Sequence, residues 1–306
     1  MLSGISVTCF AASYAVTLGL EISRLFFRLR VRWLVMIGFA GAGLFAHTIY
    51  LWLHTRTELH GALSAPLSSW YDWCLLAAWV LVAAYLGLAI RRPHNTLGLF
   101  LLPLVLALIG IAYAVRNTPS FEREEALGYW AMIHGMMLLL GTVTAALAFA
   151  AGVMYLLQSY RLKHKYLSRQ GFRLPSLEWL QRFNRRTLWI STGLIAIGLL
   201  AGLALNLIRQ VSREATVSWT DPVVFSSSIL FFWLAAASLF ESLYKPARAG
   251  RKVAYLTLAS FVFLGLVLGL VVMGQHGISQ GRSADGTLGK SWERQLVAAE
   301  FDGRES

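Results

Sequence analysis

The side chains of this 306-residue chain that could do chemistry are few, and the histidines are the most informative of them. Of seven histidines, three fall in or beside apolar stretches: His47, His134 and His276. An ionisable side chain is costly inside a membrane segment, so each of the three is a candidate for a functional role. The two cysteines, Cys9 and Cys74, have no spacing that predicts a disulfide framework or a zinc site.

The apolar residues around these histidines are gathered in blocks. Hydrophobic residues make up 57% of the chain and charged residues 14%, with a mean hydropathy of +0.59, whereas soluble domains average about 25% charged residues. A helix needs about 20 mostly apolar residues to cross a bilayer. Eight blocks meet that requirement, at 3–23, 33–53, 71–90, 96–115, 129–158, 188–208, 223–243 and 253–274. The sequence predicts an all-α polytopic membrane helix bundle over 1–276, with about eight transmembrane helices, and a polar, flexible tail over 277–306.

The basic residues predict the orientation of this bundle. The net charge is +12, and most lysines and arginines lie in alternate loops, near 24–32, 91–92, 161–186 and 245–252. Loops rich in lysine and arginine stay in the cytoplasm, which puts both termini outside. Contact with anionic lipid accounts for the charge, so nucleic acid is not expected as a partner.

The predicted orientation brings His134, near the start of span five, and His276, just past span eight, to the outer face. The loop before span seven adds Trp219 and Asp221 to that face, and His47 lies in the outer half of span two. Two neutral imidazoles can ligate haem iron from both sides, and a tryptophan can pack on the porphyrin. His134, His276 and Trp219 together predict an outward-facing haem site. The alternative for each histidine alone is a hydrogen-bonded residue at the membrane interface.

Three other features have simpler interpretations. Glu21 is predicted to pair with Arg24 at a cytoplasmic helix end. Asp72 lies among aromatic residues and is predicted to belong to an interfacial aromatic belt. Pro175 and Ser176 are predicted to start a short amphipathic helix that leads into span six. Its apolar face comprises Leu177, Leu180 and Phe183.

Several stretches resemble one family of membrane proteins. His134-Gly-Met-Met-Leu-Leu-Leu-Gly-Thr is similar to the histidine-bearing helix of the cytochrome c assembly family, the CcsA/CcmC-type haem-handling proteins. Arg161-Leu-Lys-His-Lys and Leu174-Pro-Ser-Leu-Glu resemble the inner loop of its HemX/YpjD-like branch. Trp219-Thr-Asp-Pro and His276 lie where the family carries its tryptophan-rich motif and its last outer histidine.

The resemblance implies a carrier or assembly factor, rather than an independent enzyme, that holds haem b at the outer face and assists c-type cytochrome biogenesis. The implied iron ligands are His134 and His276, beside Trp219 and Asp221, and His47 is a weaker match for an internal histidine. The implied partners are membrane lipid, other cytochrome c biogenesis membrane proteins and apocytochrome c, at a bacterial-type inner (cytoplasmic) membrane. The alternative is a HemX-like membrane regulator or scaffold for tetrapyrrole synthesis without its own haem site.

Overall fold

The computed structural model describes residues 6–24, 32–60, 69–91, 96–117, 129–165, 174–211, 222–243, 254–266 and 269. Within these ranges the chain forms eight helices. They are α1 (Val7–Ser23), α2 (Arg32–His60), α3 (Trp70–Arg91), α4 (Gly98–Val115), α5 (Tyr129–Lys163), α6 (Leu177–Val211), α7 (Pro222–Leu243) and α8 (Ala254–Leu266). Each helix overlaps one apolar block of the sequence, so the predicted all-α class is confirmed.

Five of these helices, α2 to α6, are long and apolar enough to cross a membrane. The apolar parts of α1, α7 and α8 are shorter, at 10–17 residues. The chain is therefore a multi-pass membrane protein. The count of eight spans and the outside location of both termini stay predictions.

The described helices pack around two apolar cores. The first is centred on α1–α4, where it includes Phe10, Leu81 and Leu102, and it extends to residues of α5 and to Leu180 of α6. The second lies among α5–α8 and includes Ile195 and Leu234. Helix α5 contacts α3 and α4 as well as α6, so it joins the two halves of the bundle.

Helices α5 and α6 form the most extensive contact between two described helices. Gly141 of α5 lies against Ile195 of α6, and Gly198 of α6 lies against Leu138 of α5, so the two helices run antiparallel. A Cβ atom on Gly141 would lie 2.7 Å from Cγ1 of Ile195, and one on Gly198 would lie 2.8 Å from Cδ2 of Leu138. Small residues at these positions let the helices approach closely, which is a common way to associate helices in lipid.

Helix α6 differs from its prediction. The sequence predicts a short amphipathic helix before span six, but the structure has one continuous helix of 35 residues from Leu177. Ser176 caps this helix, because its Oγ accepts a hydrogen bond from the backbone N–H of Trp179 at 3.3 Å. Leu180 is fully buried and packs in the first core. Burial of this turn holds the segment against the bundle, so it continues into the span instead of forming a separate helix.

Candidate functional site

His134 lies in the second turn of α5 and faces α6. Its Nδ1 atom is 2.7 Å from the backbone carbonyl oxygen of Gly198. A carbonyl oxygen only accepts, so Nδ1 carries the hydrogen and donates it. In the neutral ring the lone pair is therefore on Nε2, the nitrogen that ligates a metal in such a tautomer.

The imidazole of His134 lies in a groove between two glycines of α6. Gly198 and Gly202 form a G-x-x-x-G pair, and a Cβ atom on Gly202 would lie 2.6 Å from Nδ1 and 2.7 Å from Cε1 of the ring. The groove and the hydrogen bond together set the plane and the tautomer of the ring. Histidines that ligate metals are typically oriented in this way, by an N–H bond to a backbone carbonyl. The side chain is only partly buried.

Contacts of α5 with other helices place this histidine at one end of the bundle. A Cβ atom on Gly135 would lie 2.6 Å from Cη2 of Trp73, so the start of α5 lies beside the start of α3. Further along α5, Phe149 stacks on Phe261 of α8 with 4.3 Å between ring centroids, and Gly152 lies against Leu258. These contacts make α8 antiparallel to α5, so α8 runs toward the end of the bundle where His134 lies.

The other predicted outer residues, Trp219, Asp221 and His276, lie outside the described residues. The structure therefore gives the surroundings of His134 and leaves the rest of the predicted haem site a prediction. In the ranges that are described, no group of three or more His, Cys, Asp or Glu side chains could hold a metal ion.

His47 is fully buried between α1 and α2. Its ring stacks on Phe10, with 4.0 Å between centroids and 3° between planes. Its Nδ1 atom is 3.3 Å from the hydroxyl oxygen of Tyr14, whereas Nε2 has no hydrogen-bond partner in the part of the chain that is described. No contact among those residues joins His47 to His134, so the structure does not bring these two predicted haem-site residues together.

A polar pair near the start of α3, in which the carboxylate is buried and the imidazole is partly exposed, was missed by the sequence reasoning. Nε2 of His54 lies 2.9 Å from Oδ1 of Asp72, and Ser69 donates to Oδ2 of the same carboxylate at 2.8 Å. Asp72 is only 3% exposed, so it is a paired internal carboxylate rather than a member of an aromatic belt. The available signal was the spacing of His47, Tyr50 and His54, which places all three on one face of α2.

The predicted pairing of Glu21 is confirmed. Its Oε2 atom lies 3.9 Å from Nη1 of Arg24, and Tyr85 of α3 donates a hydrogen bond to Oε1 at 3.5 Å. A Cβ atom on Gly98 of α4 would lie 2.7 Å from that oxygen. The carboxylate therefore links α1 with α3 and packs tightly against α4.

The long apolar helices define a multi-pass membrane protein. The glycine groove of α6 holds the imidazole of His134 in one orientation. Residues 67–277 match the family model described as Cytochrome C assembly protein. The match covers more than half of the chain, and the chain belongs to this family. No curated protein and no solved structure matches it. Family membership supports a role in the biogenesis of c-type cytochromes. His134, Trp219, Asp221 and His276 fall within the match, and His47 precedes it.

Proposed function

We propose that the protein holds haem b as cargo at the outer membrane face for c-type cytochrome assembly, with Nε2 of His134 as one iron ligand. The single observation that carries this proposal is the bond from His134 to the carbonyl of Gly198. That bond leaves the lone pair of the neutral ring on Nε2. The glycine groove holds the ring in one orientation, which lowers the entropy lost when the iron binds.

The second ligand in this proposal is His276, with Trp219 packed on the porphyrin and Asp221 beside it. Three considerations support the choice. These residues fall within the family match, they resemble the outer motifs of the family, and α8 runs toward the end of the bundle that holds His134. When bound, the iron would accept lone pairs from both imidazoles.

In this proposal the protein has a binding role rather than a turnover of its own. His134 binds and orients the cargo, and Gly198 keeps its ring in the required tautomer. The cysteine thiols that accept the haem belong to the apocytochrome. We place this step at the inner membrane of a bacterial-type cell, with the basic loops in the cytoplasm.

Haem titration of the purified protein tests the proposal. Protein in detergent is mixed with haemin, and the Soret band of bound haem is recorded for wild type, His134→Ala and the double variant His134→Ala/His276→Ala. We expect a shifted Soret band in wild type, weaker binding in the single variant and no specific binding in the double variant. Met137→Leu is the matched control, since its thioether lies in the same helical turn as His134, and it should bind haem like wild type.

A wild-type protein that takes up no haem would overturn this proposal. It would favour the alternative of a membrane regulator or scaffold for tetrapyrrole synthesis. Haem uptake that is unchanged in the double variant would show that haem binds elsewhere.

A further inference from the structure

A cleft of about 460 Å³ lies between α5 and α8, at the end of α5 that is opposite His134. Three apolar side chains between residues 153 and 157 form its wall on α5, followed toward the end of the helix by Tyr160, Lys163 and His164. On α8 the wall is formed by Leu258 and Tyr255. The cleft therefore has an apolar part and a polar part.

The change from apolar to polar runs in the same direction on both helices. Helix α8 is antiparallel to α5, so Tyr255 lies beyond Leu258 in the direction that leads along α5 from residue 153 to Lys163. A lipid has the same gradient, from acyl chain to headgroup. The cleft is thus matched in polarity to an amphipathic molecule aligned with the two helices.

The polar end of the cleft favours an anion. Lys163 is exposed and lies in the last turn of α5 together with Arg161. The described residues that line the cleft include no carboxylate. The phenol O–H group of Tyr255 is a further donor at this end. Basic pockets between transmembrane helices bind anionic lipid headgroups by such groups.

We infer that this cleft binds an anionic phospholipid. Its phosphodiester lies at Lys163 and accepts a hydrogen bond from Tyr255. One acyl chain extends along Leu157 and Leu258 toward the centre of the bilayer. This site is independent of the proposed haem site, which lies at the other end of α5.

Native mass spectrometry of the detergent-purified full chain tests the inference. Phosphatidylglycerol and phosphatidylcholine with identical acyl chains are added in equal amounts, and the lipid-bound fractions are compared. A lysine near an anionic lipid contributes about 1 kcal/mol, so we expect about a fivefold preference for phosphatidylglycerol. Lys163→Gln should abolish most of that preference. The control Lys165→Gln removes the same charge two residues later, outside the cleft, and should retain it.

Three results would overturn the inference. Equal binding of the two lipids by wild type would show that the cleft does not select an anion. An equal loss of preference in the Lys165→Gln variant would assign the effect to general surface charge. Displacement of phosphatidylglycerol by millimolar inorganic phosphate would identify a free-phosphate site instead of a lipid site. Both substitutions are at exposed positions, so the folded bundle remains available for the comparison.

Discussion

The imidazole of His134 lies against Gly202 so closely that a Cβ atom on that glycine would be 2.6 Å from Nδ1 of the ring. Real side chains do not approach to this distance, so Gly202→Ala must displace the imidazole or separate α5 from α6. We expect a loss of about 1–3 kcal/mol in the free energy of unfolding. Thermal unfolding in detergent, followed by circular dichroism, measures this loss. If His134 is a haem ligand, haemin affinity should fall as well.

Gly193 supplies the matched control on the same helix. A Cβ atom at that position would meet nothing within 4 Å. Alanine also has a higher helix propensity than glycine. Gly193→Ala should therefore unfold at the wild-type temperature or slightly above it. Similar destabilisation by both alanine variants would contradict the assignment of the groove to His134.

The second prediction concerns the buried carboxylate of Asp72. Asp72→Asn keeps the shape of the side chain but removes its charge, which weakens the bonds from His54 and Ser69. Because the Asp72 side chain is only 3% exposed, we expect a destabilisation of about 1–3 kcal/mol. Glu178→Gln is the comparison, since Glu178 is 78% exposed in its pair with Arg182, and exposed pairs stabilise little. Equal midpoints of unfolding for Asp72→Asn and wild type would show that the pair is not structural.

The outcome for Asp72 illustrates what sequence reasoning could and could not supply. The helices were predictable because apolar blocks of this length leave the helix as the only favourable state in lipid. His134 was identifiable as an imidazole in an apolar segment. The partner of Asp72 was not, since periodicity defines the face of a helix but not the neighbour that the face meets. The glycines at 198 and 202 are visible in the sequence, but their contact with His134 depends on the register of α5 against α6.

The third prediction separates His47 from haem binding. Tyr14→Phe removes the hydroxyl that lies 3.3 Å from Nδ1 of His47, which leaves both nitrogens of a fully buried ring without a described partner. This variant should lose about 1 kcal/mol of stability. The double variant Tyr14→Phe/His47→Leu replaces both polar groups with apolar ones and should recover most of that loss. A double-mutant cycle of unfolding free energies measures the coupling.

Haemin titration of His47→Leu completes this test. The ring of His47 is enclosed by Phe10 and Tyr14 inside the first core, so haem uptake should equal that of wild type. Abolition of the Soret band in a folded His47→Leu protein would show that His47 belongs to the haem site, and it would contradict the assignment of His47 to the core.

The last prediction concerns membrane sidedness, on which the proposed haem site depends. Helix α5 has 35 residues and is therefore about 50 Å long, which exceeds the roughly 30 Å hydrocarbon core. Its two ends must emerge on opposite sides. Because α5 and α6 are antiparallel, Tyr129 at the start of α5 and Val211 at the end of α6 lie on one side. Their exposed fractions are 74% and 86%.

Single cysteines at these positions, in a Cys9→Ser/Cys74→Ser background, report the sidedness directly. An impermeant maleimide added to right-side-out membranes should label Tyr129→Cys and Val211→Cys but not Lys165→Cys, which lies past the basic end of α5. The physical reason is the positive-inside rule, which retains the lysine- and arginine-rich loops in the cytoplasm. Labelling of Lys165→Cys alone would show that the bundle has the opposite orientation in the membrane. His134 would then face the cytoplasm, where it could not present haem to an apocytochrome outside.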